Sequence, residues 1–138
     1  MRQHKPWALL LAATAALIVG CGSSTKYANN LRPPALVTIT CAIAHHQVRI
    51  SPSALGGGPA TLIVANLMPT SQQLTISRAG SSTVIAQTGP INPGSNATLQ
   101  LDLAPGSYVA TPDDPSVSVG QIVVGPNRPS AQNDVNLP

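Results

Sequence analysis

The chain has 138 residues, 43% of them hydrophobic and only 8% charged, with neither glutamate nor phenylalanine. That length gives room for one domain plus appendages. Arg2, Lys5 and Trp7 belong to an N-terminal leader. Beyond it, Lys26, Arg32, Arg49, Arg78 and Arg128 face Asp102, Asp113, Asp114 and Asp134, and only Tyr27 and Tyr108 are aromatic. An excess of one positive charge and two scattered rings exclude both the basic footprint and the stacking platform that nucleic-acid binding requires.

The leader comes first. Residues 1–6 carry Arg2 and Lys5, residues 7–19 are apolar and uncharged, and Gly20-Cys21 follows. A basic start, an apolar run of this length and a small residue at the cleavage point describe a secretory signal over residues 1–20. The run falls short of the ~17–25 residues of a membrane-spanning helix; a buried core helix is the bland alternative. Residues 22–34 are polar, close on Pro33-Pro34 and lack hydrophobic period, so residues 21–34 read as a tether. Thirteen coil residues span about 20 Å on average and about 45 Å at the limit.

From residue 35 the hydrophobic period is two. Strands are expected over 35–44, 47–51, 60–67, 72–78, 82–87, 97–103, 107–111 and 120–124. Val37, Ile39, Cys41 and Ile43 share one face, as do Leu74 and Ile76, and Leu99, Leu101 and Leu103. Breakers separate the strands: residues 52–59 with Gly56-Gly57-Gly58, Pro69, Ala79-Gly80, residues 89–94, Pro105-Gly106 and residues 112–115. Asn92-Pro93-Gly94-Ser95 and Ala104-Pro105-Gly106-Ser107 suit type II turns, with Pro second and Gly third. No window shows a 3.6 period. Seven or eight short strands with frequent turns predict an all-β Greek-key sandwich over residues 35–125 with an aliphatic core. Residues 126–138 form a C-terminal tail, for which Val135 and Leu137 at spacing two favour packing over disorder.

Two resemblances sharpen this reading. Ile18-Val19-Gly20-Cys21 resembles the bacterial lipobox. The resemblance implies diacylglycerol in thioether linkage on Cys21, cleavage before it, and acylation of the new amino terminus. Two or more acyl chains anchor a protein stably, at about 0.8 kcal/mol per buried CH₂. The competing reading is cleavage at an Ala-rich site by the general signal peptidase, releasing a soluble protein.

From Val48-Arg49-Ile50, through residues 60–66, Gln73-Leu74-Thr75-Ile76, residues 91–94 and 97–103, to Pro105-Gly106-Ser107-Tyr108 and residues 120–124, the order of elements resembles the cupredoxin fold. That family implies copper held by two His and a Cys with a weak axial Met. Every ligand position departs from the pattern. Gln72 or Gln73 stands where the first His belongs, Pro112 where Cys belongs, no His follows His46, and Val119 or Gly120 replaces Met. Only the scaffold carries over. The Pro-Gly-x-Tyr element also resembles the tyrosine corner of immunoglobulin-like and fibronectin type III sandwiches, the alternative fold.

Little else carries chemistry. Cys41 would pair with Cys21 only if the latter were not lipidated; otherwise it is a buried apolar residue or a reactive thiol. His45 and His46, with Cys41 four residues before, are a candidate metal set only if the chain turns there, because strand neighbours point to opposite faces. Asp113-Asp114 between prolines reads as turn chemistry. Gly56-Gly57-Gly58 lacks the Lys and helix of a phosphate loop, and no Gly-x-Ser-x-Gly elbow occurs.

These observations lead us to expect a lipid-anchored, non-catalytic binding or interaction module without cofactor, held at the extracytoplasmic face of the cell membrane. Its partners would be the membrane, through Cys21, and an envelope protein or small ligand, with no nucleic acid. The alternative is a periplasmic or cell-surface copper-handling protein using Cys41, His45 and His46.

Overall fold

The computed structural model describes residues 31–131. The signal, Cys21, the first part of the tether, Val135 and Leu137 lie outside the described residues. Eight strands form among those described: β1 (Val37–Ile43), β2 (Val48–Ser51), β3 (Ala54–Asn66), β4 (Leu74–Arg78), β5 (Val84–Gln87), β6 (Asn96–Leu103), β7 (Gly106–Pro112) and β8 (Gly120–Asn127). Their pairing runs β2-β1-β3-β8-β7-β4-β5, with β6 on the other edge of β3.

The alternation seen in the sequence is the physical cause of the fold. Ile39, Cys41 and Ile43 of β1, Ala60, Leu62 and Val64 of β3, and Leu101 and Leu103 of β6 face inward from one layer. Leu74 and Ile76 of β4, Tyr108 and Ala110 of β7, and Ile122 and Val124 of β8 meet them from the other. One-residue slippage would turn each set outward, so the aliphatic phase fixes the register.

Residues 52–59 are not the break that their glycines and prolines suggested. The third strand starts at Ala54 rather than at residue 60. Ala54, Leu55 and Gly56 pair in parallel with Val123, Val124 and Gly125, the register slips between Gly56 and Gly57, and residues 58–65 then pair with β6. Gly58, at φ 124°, marks the bend; only glycine adopts that geometry readily. A single chain segment thus belongs to both layers, and the glycines allow the crossing rather than ending the strand.

Other bounds moved as well. β8 reaches Asn127, three residues past the expected strand end at Val124. Residues 31–34, read as tether, pack against the end of the described chain: Ser130 Oγ donates to the Arg32 carbonyl (2.6 Å) and the Ala131 amide to that of Pro33 (3.3 Å). The Asn92–Ser95 turn has the expected form, with Gly94 at φ 70° and the Ser95 amide donating to the Asn92 carbonyl at 3.0 Å. The second Pro-Gly corner is not type II. Gly106 sits at φ 143° and already belongs to β7, while the Tyr108 hydroxyl spans the corner by donating to the Ala104 carbonyl (2.8 Å).

The register gives the molecule two poles. Ile43 lies beside Val48 and Asn66, Ala65 beside Asn96, Leu74 beside Pro112, and Ala110 beside Gly120. The turn at 44–47 and the loops 67–73, 88–95 and 113–119 therefore gather at one end, the loop pole. Residues 31–36 and 128–131 enter and leave at the other, the terminal pole.

Leu62, fully buried at the crossing strand, is the sharpest test of this core. Leu62→Ala is expected to lower unfolding free energy by about 2–5 kcal/mol, measured by urea denaturation, whereas Thr98→Ala, on the exposed side of β6, should change it by under ~0.5 kcal/mol.

Candidate functional site

The buried polar side chains among the described residues, Asn66, Gln72 and Thr88, all sit at the loop pole. Asn66 is in phase with Leu62 and Val64 and points inward where a fourth aliphatic residue would stand. Its Nδ2 donates to the carbonyls of Thr70 and Ile91 (2.8 Å each), and its Oδ1 accepts the Met68 amide (2.9 Å). Its backbone accepts from Gly94 and donates to Ser95 (2.9 Å each). One side chain thus ties loop 67–73 to loop 88–95.

Gln72 and Gln73 extend the network. The backbones of Gln72 and Ile91 exchange two hydrogen bonds (3.0 and 2.8 Å). Gln72 Nε2 donates to Thr70 Oγ1 (3.0 Å), while its Oε1 is buried without a partner among the described residues. Gln73 Nε2 donates to the Thr88 carbonyl (2.8 Å), and its amide to Asp113 Oδ1 (3.0 Å). Thr88 Oγ1 in turn accepts the Leu74 amide (2.9 Å). The Asp pair behaves as turn chemistry. Asp114 Oδ1 accepts from the Ser116 hydroxyl (2.7 Å) and amide (2.9 Å), and these bonds hold its carboxyl below the usual range.

The positions that resemble cupredoxin ligand sites come together at this pole, but with the wrong chemistry. Gln72 offers an amide, Pro112 is buried opposite Leu74, Val119 is exposed, and Gly120 is closely packed. A Cβ on Gly120 would lie 2.7 Å from Ile50 Cδ1 and 2.9 Å from Val48 Cγ1. These residues supply neither thiolate nor imidazole and do not fit a copper centre of the family type.

Cys41, His45 and His46, the metal set of the alternative reading, are likewise not brought together. Cys41 is in the inward phase of β1 and 2% exposed, whereas His45 and His46 are exposed in the turn after the strand. The strand's period separates them: the core takes the thiol, and solvent the imidazoles. No group of three or more His, Cys, Asp or Glu side chains that could hold a metal occurs among the described residues. Burial pushes the Cys41 thiol up to about 12.

No family model matches the chain, and no curated protein matches it. Solved structures do. Auracyanin A of Chloroflexus aurantiacus, described as a "blue" copper protein, superimposes with a TM-score of 0.51 at 15% identity, over 66% of this chain and 100% of that one. Auracyanin of Roseiflexus castenholzii matches at 0.50 and 17%, over 66% and 97%. Rusticyanin of Thiobacillus ferrooxidans matches at 0.55 and 13%, over 65% and 77%. The domain has a cupredoxin-like fold. At these identities the likeness establishes architecture alone, and it decides for this fold over the immunoglobulin-like alternative.

The Asn66–Gln72–Thr88 network escaped the sequence reading. Its one visible signal was an asparagine in the inward phase at the end of a largely apolar strand.

Two outcomes test the loop pole and the buried thiol. Asn66→Ala leaves two carbonyls and an amide unpaired and should cost about 2–4 kcal/mol of stability, read from denaturant titration. Cys41 holds its proton in the folded state after the unfolded chain has released it, so stability should fall as pH rises from about 9 towards 12. The slope should approach 1.4 kcal/mol per pH unit. Melting curves of Cys41→Ala should lack this alkaline slope.

Proposed function

We propose that the chain is a lipid-anchored extracytoplasmic module whose cupredoxin-like sandwich works as a copper-free, non-catalytic binding domain. One observation carries the reading. The pole at which the fold family places its metal is here closed by amide and main-chain hydrogen bonds around Asn66, Gln72, Gln73 and Thr88, with glutamine, proline and glycine at the ligand positions. Anchoring is supported by the lipobox-like Ile18-Val19-Gly20-Cys21 after a short apolar run, and by the entry of the chain at the terminal pole, opposite the loops. A domain held in this way presents loops 67–73, 88–95 and 113–119 away from the bilayer, towards an envelope protein or small ligand. The low charge of the domain suits neither nucleic acid nor an electrostatically steered partner.

Metabolic labelling with palmitate tests the anchor. Label should enter the wild-type protein, disappear in Cys21→Ala, and the variant should move from the membrane to the soluble fraction. Equal labelling of both removes the anchor from the account. For the copper-free half, equilibrium dialysis of the purified protein should give no tight stoichiometric copper and no thiolate-to-copper visible band. A stoichiometric site lost in His45→Ala/His46→Ala would replace this reading with copper handling.

A further inference from the structure

Three segments converge at the terminal pole: the Gly56-Gly57-Gly58 bend of β3, the polar segment after β8 and the prolines before β1. They meet at Arg128. Its amide donates to the Gly57 carbonyl (2.9 Å), Nε to the same oxygen (3.2 Å), one terminal nitrogen to the Pro59 carbonyl (2.6 Å) and the other to the Ala35 carbonyl. No carboxylate lies within ion-pair distance of any cationic side chain among the described residues, so carbonyl dipoles alone hold the guanidinium. The glycines make the seat. A Cβ on Gly56 would stand 2.7 Å from Arg128 Cγ, and one on Gly58 would stand 3.1 Å from its guanidinium and 3.2 Å from Pro34 Cγ. Beyond the arginine, Ser130 and Ala131 bond the carbonyls of Arg32 and Pro33.

We infer that Arg128 is a clasp joining the chain where it leaves the domain to the chain where it enters, so that residues 31–34, expected as tether, are held against the domain. Arginine suits this role because its planar fork reaches three separate carbonyls at once, which a lysine ammonium cannot. The contacts that join the two chain ends lie at the surface: the bonds to the Ala35 and Arg32 carbonyls are exposed, and Leu31, Arg32, Pro33 and Ala35 face solvent, whereas the bonds to Gly57 and Pro59 within the sandwich are half-buried. It is therefore a junction that opens without unfolding the sandwich. On the anchored reading proposed above, it also sets height. With the clasp closed, nine residues (22–30) separate Cys21 from the domain. Opening it through Pro34 adds four, or about 14 Å at full extension.

Two measurements separate the clasp from the anchor. The first uses the full chain in detergent, in a Cys21→Ala background, with spin labels at Leu31→Cys and Pro129→Cys. Cys41 is buried and stays unlabelled. A narrow distance distribution is expected, broadening and lengthening in Arg128→Ala and Arg128→Lys while the cooperative melt is retained; Arg32→Ala, which removes an exposed side chain, should leave it narrow. An unchanged distribution in both Arg128 variants overturns the clasp. Loss of the fold in both also overturns it, because the contact then belongs to the core. The second measurement uses the lipidated full chain in liposomes, with a fluorophore at Pro115→Cys and an acceptor dye in the bilayer. Energy transfer should fall in Arg128→Ala. Unchanged transfer beside an opened clasp overturns the role in height. Failure of the wild-type chain to attach to vesicles refutes the anchor and the height role together, and leaves the clasp to the label distances.

Discussion

The structure depends on one strand serving two layers. β3 begins in the ladder beside β8, bends at Gly56-Gly57-Gly58 and continues between β1 and β6. Without that crossing, each layer would expose a wet aliphatic face. With it, Leu62 and Val64 are carried over Leu74, Ile76 and Ile122, and the core closes. A side chain larger than hydrogen cannot occupy the bend, since Arg128 and Pro34 are already against it. The same glycines therefore close the sandwich and seat the terminal pole.

The poles differ in how they are held. At the loop pole, the buried Asn66 side chain is fully satisfied by main chain and, with the Gln72–Ile91 and Gln73–Thr88 bonds, joins two loops, while Gln72 Oε1 is left without a partner among the described residues. Buried amides of this kind specify one arrangement, because each unmade bond in a low dielectric is expensive. At the terminal pole, the half-buried Arg128 side chain binds main-chain carbonyls, and only its bond to Ala35 is open to solvent competition. Tyr108 stands between these regimes. Its ring is buried, its hydroxyl bonds the Ala104 carbonyl, and Arg78 lies over its face at 5.6 Å. It holds the β6–β7 corner and has no part in the loop-pole network.

Cys41, His45 and His46 show how spacing in sequence misleads. A cysteine four residues before a histidine would sit beside it on a helix. On β1 the same residue falls in the inward phase, and the histidines fall beyond the strand's end. The core keeps the thiol protonated, and the turn leaves the imidazoles in water.

Periodicity was legible because burial acts on each strand separately. The inward phases of β1, β4 and β6, the all-β class and the Asn92–Ser95 turn all follow from local alternation and proline–glycine chemistry, and the cupredoxin-like order was implied by a resemblance of motifs. What local pattern cannot carry is a partner distant in sequence. Residues 54–58 look like a break until Val123, Val124 and Arg128, some seventy residues on, complete their hydrogen bonds. Asn66 looks like the end of a strand until the carbonyls of Thr70 and Ile91 reach it. The expectation of an export signal ending at Cys21 rests on the sequence alone, because such a signal is a linear pattern of charge and apolar length, and it lies outside the described residues. The corner in β3, the closed loop pole and the joined chain ends were decided only by tertiary structure, because each rests on backbone groups that find their acceptors after the two layers have met.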